Sequence, residues 1–389
     1  MNKSNLALGL KSLKVNYAGL RVGILAMTPN GRVAFSYDED WVKSGFSVSP
    51  FSLPCTNKVF VPQKLHFDGL FGIFADSLPD AWGRLLLERT LKLHGLEDNI
   101  TVLDRLALVG KNGMGALEYE PDYEILSKRN SDNLDFLATE CKKVLQSETC
   151  TDLDLLYSMA GSSGGARPKV LLDYNGKNWL VKFPAHVDMP DIGLQEYQYS
   201  LCAKKCGIDM PETLLFPSER CKGYFATLRF DRTHEQTGST PSSGRESTKV
   251  HMATAAALLE ADFRTPCLDY HDLMKLTKIL TRDNTEDVEN MYRRMCFNVF
   301  AHNRDDHAKN FTFLYCDDTA SWRLSPAYDL TFSNTYFGEH TTSIDGNGKN
   351  PTGKDLLNVG LRAGMSKSRC CEIIEQIRTI VSSELGEWL

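Results

Sequence analysis

Alternating apolar and polar positions predict a β-hairpin in the first part of the chain. The segments 20–25 and 32–37 have the two-residue period of strands that are buried on one face. Asn30-Gly31, between them, is a typical tight-turn sequence. The pattern therefore predicts two antiparallel strands here.

A helical pattern follows this hairpin. The helix is expected to start near Ser77, with Pro79 in its first turn and Gly95 beyond its end. A polar stretch at 121–135 then interrupts the periodic segments. These features delimit a small N-terminal α/β module, residues 1–125.

The middle of the chain is mainly strand-forming. A glycine loop at 161–169 precedes two apolar runs that are joined by an Asn-Gly turn. The further elements predicted in this part are a helix at 134–147, a helix at about 193–206, and strands near 213–217 and 223–230. Residues 126–250 are therefore expected to form a second domain, in which strands predominate.

The last part, residues 251–389, is predicted to be mainly helical, with helices at 269–301 and 366–387. A polar loop lies between the apolar segments 291–301 and 311–315. Strands that are followed by helices in this order predict a two-lobed α+β protein.

Composition and charge exclude several classes. The 389 residues are 42% hydrophobic and 24% charged, and the net charge of -6 gives no global signal for nucleic-acid binding. No apolar run approaches the roughly 20 residues of a membrane span, so no membrane partner is expected. The eleven cysteines form no CxxC pair, and residues 1–5 lead into no apolar leader segment. A cytoplasmic protein with reduced cysteines is therefore expected.

The polar loop has the spacing that phosphoryl transfer needs. Asp305 precedes Asn310 by five residues, and Asp329 follows after a short hairpin. One carboxylate, Asp305, can orient the attacking hydroxyl, while Asn310 and Asp329 are oxygen ligands suited to Mg²⁺. His307 and Lys309 lie inside the same loop and are candidate contacts of the nucleotide.

Two other interpretations of this loop stay open. A solvated acidic surface loop would have a similar composition. His302 and His307 could also bind zinc, although two histidines with no third ligand nearby are weak evidence for such a site.

The glycine loop is a candidate phosphate-binding loop. Glycine backbone amides can approach phosphates closely because no Cβ intervenes. The loop residues proposed to contact ATP are Gly161, Ser162, Ser163, Gly164, Gly165 and Ala166. A plain linker is the simpler alternative. The same letters also fit the G-x-S-x-G elbow of hydrolases, with Ser163 as the nucleophile, but a strand rather than a helix follows.

Other residues of the middle part extend this candidate site. Lys182 ends the second strand after the loop, where kinases place the lysine that binds the phosphates. Glu196, on the next helix, could pair with Lys182 or be an ordinary exposed carboxylate. Phe230 and Asp231 end an apolar strand that could contact adenine and ribose, or could be a plain core strand that ends in a surface ion pair.

These motifs together resemble the HipA family of bacterial serine/threonine kinases, the toxins of HipBA toxin–antitoxin modules. The resemblance covers most of the chain. Its N-terminal part is the segment 67–80. Further motifs follow in family order, namely Gly165–Lys169, Val181–Pro184, Arg229–Arg232, Asp305–Asn310 and Tyr328-Asp329.

The resemblance implies both a fold and a set of roles. The implied fold is bilobal and similar to protein kinases and phosphoinositide kinases, with an N-terminal module, an N-lobe and a helical C-lobe. Asp305 would be the catalytic aspartate, Lys182 the phosphate-binding lysine, and Asn310 and Asp329 the Mg²⁺ ligands. The cofactors would be ATP and Mg²⁺. In the family a glycine-loop serine is autophosphorylated, and Ser163, Ser162 and Ser158 are the candidates here.

The resemblance also implies partners. They are a HipB-like helix-turn-helix antitoxin, operator DNA reached through that antitoxin, and a substrate such as an aminoacyl-tRNA synthetase or another translation protein. Two alternatives remain. One is a lipid or small-molecule kinase, since Asp305-Asp306-His307-x-x-Asn310 also resembles the loop of phosphoinositide kinases. The other is a non-catalytic co-repressor subunit.

Overall fold

The computed structural model describes residues 8–96, 99–123, 126, 129–161, 164–233, 248–335 and 337–389. The strands are β1 Ser12–Tyr17, β2 Leu20–Met27, β3 Val33–Tyr37, β4 Val59–Phe60, β5 Leu117–Glu120, β6 Lys169–Tyr174, β7 Lys177–Lys182, β8 Thr213–Phe216, β9 Tyr224–Leu228, β10 Met252–Thr254, β11 Thr312–Cys316 and β12 Ser321–Leu324.

The helices lie between these strands and at the C-terminal end. They are α1 Glu39–Ser44, α2 Gly72–Ala75, α3 Ala81–Leu93, α4 Val102–Val109, α5 Leu134–Leu145, α6 Leu153–Ala160, α7 Ile192–Lys205, α8 Ala255–Leu258, α9 Tyr270–Leu280, α10 Thr285–Phe300, α11 Gly353–Arg362 and α12 Lys367–Glu384. A short 3₁₀ helix spans Ala308–Asn310. Within the described residues, no helix is both long and apolar enough to cross a membrane.

The chain divides into two compact units. The first comprises Met1–Pro190 and Phe216–Ala253, and the second comprises Asp191–Leu215 and Thr254–Leu389. The residues predicted as an N-terminal module therefore share one unit with most of those predicted as the second domain. The exception is the segment Asp191–Leu215, which contains α7 and the first three residues of β8 and belongs to the second unit.

The first unit contains two antiparallel sheets. One has the order β4-β3-β2-β1-β5, and the other contains β6, β7 and β9 in that order. The predicted hairpin is confirmed, since β2 pairs with β3 in a register that places Gly23 opposite Tyr37. Val15, Leu25 and Phe35 are fully buried. Val15 pairs with Gly23 and Phe35 with Leu25, so the three side chains lie on the same face of the first sheet.

The helix that follows this sheet starts later than predicted. A short α2 ends at Ala75, and α3 begins at Ala81 rather than near Ser77. Pro79 explains the difference, because proline disfavours helical backbone at the residue before it. Asp80 is extended and stands immediately before the first helical residue.

The second unit is built around α10, which packs against α9 and α12. Met291, Met295 and Phe297 of α10 have no exposed surface. The hairpin of β11 and β12 follows, with Phe313 opposite Leu324. The loop between α10 and β11 is therefore fixed at both ends by buried elements.

Candidate active site

The loop between α10 and β11 carries the predicted catalytic residue. Asp305 has 59% of its side chain exposed, whereas the side chain of its neighbour Asp306 is fully buried. A catalytic carboxylate must reach the hydroxyl of another molecule. Of these two aspartates, Asp305 is therefore the one that is placed to do so.

Asp306 holds this loop from the inside. Its Oδ2 accepts a hydrogen bond from the hydroxyl of Tyr270 at 2.9 Å and lies 2.9 Å from Nδ1 of His340. Its Oδ1 accepts from the backbone amide of Thr342 at 3.1 Å. Such bonds to a buried carboxylate are strong. Sequence analysis missed this role, because the partners are 34 and 36 positions away along the chain.

A row of buried, hydrogen-bonded polar side chains continues from Tyr270. The Tyr270 hydroxyl accepts from Nδ2 of Asn298 at 2.8 Å, and Asn298 Oδ1 accepts from Nδ2 of Asn303 at 2.9 Å. Burial and the charge of Asp306 raise the pKa of Tyr270 well above its usual value. These hydrogen bonds therefore connect α9, α10 and the loop between α10 and β11.

The two predicted magnesium ligands lie on segments that are hydrogen-bonded to each other. Nδ2 of Asn310 donates to the carbonyl oxygen of Asp305 at 2.8 Å, which leaves the amide oxygen of Asn310 as an acceptor. The residues that precede Asn310 and Asp329 are joined directly, because the Tyr328 hydroxyl donates to the carbonyl of Lys309 at 2.5 Å. An amide oxygen and a carboxylate are hard ligands, so this donor set fits Mg²⁺.

The loop that carries Asp329 is also held by α10. Nη2 of Arg294 donates to the carbonyl oxygen of Ser325, and its Nε donates to Oδ1 of Asn290 at 3.0 Å. Burial lowers the pKa of Arg294 to about 10, and nearby groups such as Asp209 oppose this effect. Arg294 is therefore still a cation at neutral pH.

His307 and Lys309 share one aromatic neighbour. The Phe263 ring centroid lies 5.9 Å from that of His307 and 4.4 Å from Nζ of Lys309. Nε2 of His307 is 3.9 Å from Oδ1 of Asp305. Phe263 was not predicted as a site residue, since nothing in its local sequence marks it.

The zinc interpretation of His302 and His307 gains no support. The His302 ring packs against Phe332, and burial lowers the pKa of His302. Among the residues that the structure describes, no group of three or more His, Cys, Asp or Glu side chains could hold a metal.

The glycine loop lies in the first unit and has the backbone that its glycines permit. Gly161 has φ +57° and Gly165 has φ +91°, a region that side chains with a Cβ rarely adopt. Gly164 and Ala166 are exposed. Ser162 and Ser163 lie outside the described residues.

Ser158 belongs to a helix rather than to the glycine loop. It lies in α6, and its hydroxyl donates to the carbonyl oxygen of Leu155 at 2.8 Å. The same hydroxyl lies 3.4 Å from the carbonyl oxygen of Arg129. Which of the three serines is phosphorylated stays a prediction.

Lys182 projects from the sheet face on which the glycine loop is held. It is the cross-strand partner of Lys169, and directly paired residues of adjacent strands lie on the same face. Nζ of Lys169 donates to the carbonyl oxygen of Gly164. Nζ of Lys182 lies 5.6 Å from the centroid of the Phe225 ring.

Asp231 has a structural role instead of the predicted contact with ribose. The residue is fully buried, and its oxygens accept from Nε and Nη2 of Arg229, from Nη1 of Arg232 and from the backbone amide of Gly115. Despite the opposing effect of burial, the two arginines lower the pKa of Asp231 to about 2. Both oxygens are thus engaged inside the protein. The neighbouring Phe230 is half-buried, and its contact with adenine stays a prediction.

Glu196 is not the exposed helix carboxylate considered as its simpler interpretation. It is buried on α7, with 3% of its surface exposed. Lys182 belongs to the first unit and Glu196 to the second. The ion pair between them stays a prediction.

Comparisons with known proteins agree with this arrangement of motifs. The family model of the HipA N-terminal domain matches residues 13–120, and that of the HipA-like C-terminal domain matches residues 161–384. A chain of the Shewanella oneidensis MR-1 complex of HipA, HipB and operator DNA superimposes with a TM-score of 0.71 at 18% identity. This match covers 96% of the present chain and 90% of the other. The similarity confirms the predicted α+β fold.

A curated relative matches a shorter segment. The protein named "Putative kinase Y4dM", from Sinorhizobium fredii, is 28% identical over 184 residues. The match spans 44% of the present chain and 41% of the length of that relative. Since the HipA-like C-terminal model alone spans more than half of the chain, this protein belongs to the HipA family.

Proposed function

We propose that this protein is an ATP-dependent serine/threonine protein kinase that acts as the toxin of a type II toxin–antitoxin module. One observation carries the proposal. Asp305 is exposed on a loop that buried Asp306 fixes, and its own backbone carbonyl orients Asn310. This is the arrangement expected for a catalytic aspartate followed by a metal ligand.

The residues have distinct roles in this proposal. The Asp305 carboxylate accepts the proton of the attacking serine or threonine hydroxyl. Asn310 and Asp329 would hold Mg²⁺, which neutralises the charge that develops on the transferred phosphate. Lys182 and the glycine loop bind the phosphates of ATP.

The assay that tests this function uses the purified protein with labelled ATP and Mg²⁺, followed by mass spectrometry of the protein. We expect phosphate on serine or threonine of the wild-type protein and none on Asp305→Asn. Asp318→Asn, a change in the exposed turn between β11 and β12, is the matched control and should behave as wild type. Equal phosphorylation of wild type and Asp305→Asn would refute the assignment.

We further propose that a serine in or next to the glycine loop, Ser163, Ser162 or Ser158, is autophosphorylated and thereby silences the kinase. A phosphate adds about -1.5 to -2 charges at pH 7, which would repel ATP phosphates beside the loop. Phosphopeptide mapping of protein made in cells identifies the position. Phosphate that persists in Asp305→Asn would show that another kinase adds it.

Membership of the HipA family supports the proposed partners. They are a HipB-like antitoxin, operator DNA bound through it, and a substrate among the aminoacyl-tRNA synthetases or other translation proteins, in the cytoplasm. The structural neighbour was solved as a complex of HipA, HipB and its operator DNA. Co-purification tests for the antitoxin. Phosphoproteomics after induction of wild type or of Asp305→Asn tests for the protein substrate.

A further inference from the structure

Asp80 occupies the N-cap of α3 without capping that helix. Aspartate is favoured at this position because its carboxylate usually accepts from an amide of the first turn. In the described structure, Asp80 makes no such bond to α3. Instead, its Oδ2 accepts from the backbone amide of Gly165 in the glycine loop at 3.2 Å.

At this contact, backbone groups of the glycine loop and of the start of α3 are both hydrogen-bonded. The carbonyl oxygen of Gly165 accepts from the amide of Trp82, in the first turn of α3, at 3.2 Å. The indole Nε1 of Trp82, which is buried, donates to the carbonyl of Lys169 at 3.1 Å. The segment Gly164–Lys169 is therefore bonded to the start of α3 at both ends.

The two segments approach each other closely. A Cβ placed on Gly164 would lie 3.0 Å from Oδ2 of Asp80, so the carboxylate would have to shift by a few tenths of an ångström. Asp38, the N-cap of α1, provides a contrast, since its side chain accepts from the amide of Asp40 within its own helix. The geometry at Asp80 thus serves the loop rather than the helix.

We propose that Asp80 is a positioning residue for nucleotide binding. Its carboxylate fixes the C-terminal end of the glycine loop against α3, so that the loop amides are already arranged for phosphates before ATP arrives. Preorganisation of this kind increases affinity because less ordering is needed on binding. The inference rests on the proposed function, in which this loop binds the phosphates of ATP.

The test combines a binding measurement with a measurement that needs no ligand. Full-length wild type is compared with Asp80→Ala, with Asp80→Asn, which retains one amide oxygen as acceptor, and with Asp38→Ala. Affinities for MgATP and for adenosine are measured by calorimetry. Hydrogen–deuterium exchange of the peptide that contains Gly164–Lys169 is followed without nucleotide.

We expect Asp80→Ala to weaken MgATP binding about tenfold, equivalent to about 1.4 kcal/mol, and to change adenosine binding less than twofold. Exchange in Gly164–Lys169 should become about tenfold faster. Asp80→Asn should lie between wild type and Asp80→Ala, and Asp38→Ala should match wild type in both measurements. This pattern separates loop positioning from general destabilisation.

Two results would overturn the inference. One is unchanged exchange in Asp80→Ala, and the other is an equal loss of affinity for MgATP and adenosine. If wild type fails to bind MgATP, the proposed function fails. Faster exchange in Asp80→Ala would still demonstrate the anchoring contact in that case, and unchanged exchange would refute it.

Discussion

The hydroxyl of Tyr328 donates a hydrogen bond to the carbonyl oxygen of Lys309, with 2.5 Å between the two oxygens. This bond joins the residue before Asp329 to the residue before Asn310. The same hydroxyl lies 2.5 Å from Oγ1 of Thr312, in β11.

The substitution Tyr328→Phe should remove this hydrogen bond and keep the packing of the ring. We expect a loss of about 1 kcal/mol of stability and a decrease of about tenfold in kcat/KM, because the two ligand segments lose this hydrogen bond. Thermal denaturation and steady-state kinetics measure the two effects. Tyr174→Phe, on the half-exposed end of β6, is the control and should change neither.

Asp305→Asn and Asp306→Asn should have opposite effects, although the residues are neighbours. Asp305→Asn should remove phosphorylation and leave the denaturation midpoint unchanged, because the side chain is exposed. Asp306→Asn should destabilise the fold by about 2–3 kcal/mol, because an amide replaces a buried acceptor that faces several donors. A stable Asp306→Asn variant would contradict this account of the loop.

Asp329→Asn should weaken binding of MgATP far more than binding of adenosine. Asp329 has φ +54°, and asparagine tolerates this backbone as well as aspartate does. The loss therefore reports the missing charge on a magnesium ligand rather than backbone strain. Binding titrations with MgATP and with adenosine measure the two losses of affinity. An equal loss for MgATP and adenosine would show that Asp329 only supports the fold.

Asp231→Asn should destabilise the protein in a manner that depends on pH. The folded pKa of Asp231, about 2, is below the value of about 4 expected in the unfolded chain. This carboxylate therefore contributes about 2 kcal/mol above pH 4, and the contribution is lost as the pH falls towards 2. The gap between the denaturation midpoints of wild type and variant should be largest near pH 6 and should shrink below pH 4. A constant gap would refute the assignment.

Local sequence patterns were sufficient to predict those elements that depend only on residues close together in the sequence. The hairpin of β2 and β3 follows from alternation and an Asn-Gly turn, and α7 was predicted at about 193–206 against Ile192–Lys205 observed. The loop between α10 and β11 could be singled out because Asp305 and Asn310 are close in sequence, and its catalytic role stays a prediction.

Roles that depend on distant partners could not be predicted. Asp231 was considered as a ribose contact at the end of an apolar strand. Arg229 and Arg232, which donate to it, are local, but a further donor, the amide of Gly115, is 116 residues away. Asp80 was visible only as part of a motif, since its contact with Gly165 spans 85 residues. Such contacts have no periodic signal in the sequence.

The alternation between exposed Asp305 and buried Asp306 also constrains the length of the loop. Asn303 and Asp306 are both fixed to buried partners, and the exposed carboxylate lies between them. A deletion or insertion of one residue between Asn303 and Asp306 would bury Asp305 instead of Asp306, or would leave the buried donors without a carboxylate. Relatives that retain this site should therefore vary in the identity of Arg304 well before they vary in the number of residues between these two anchors.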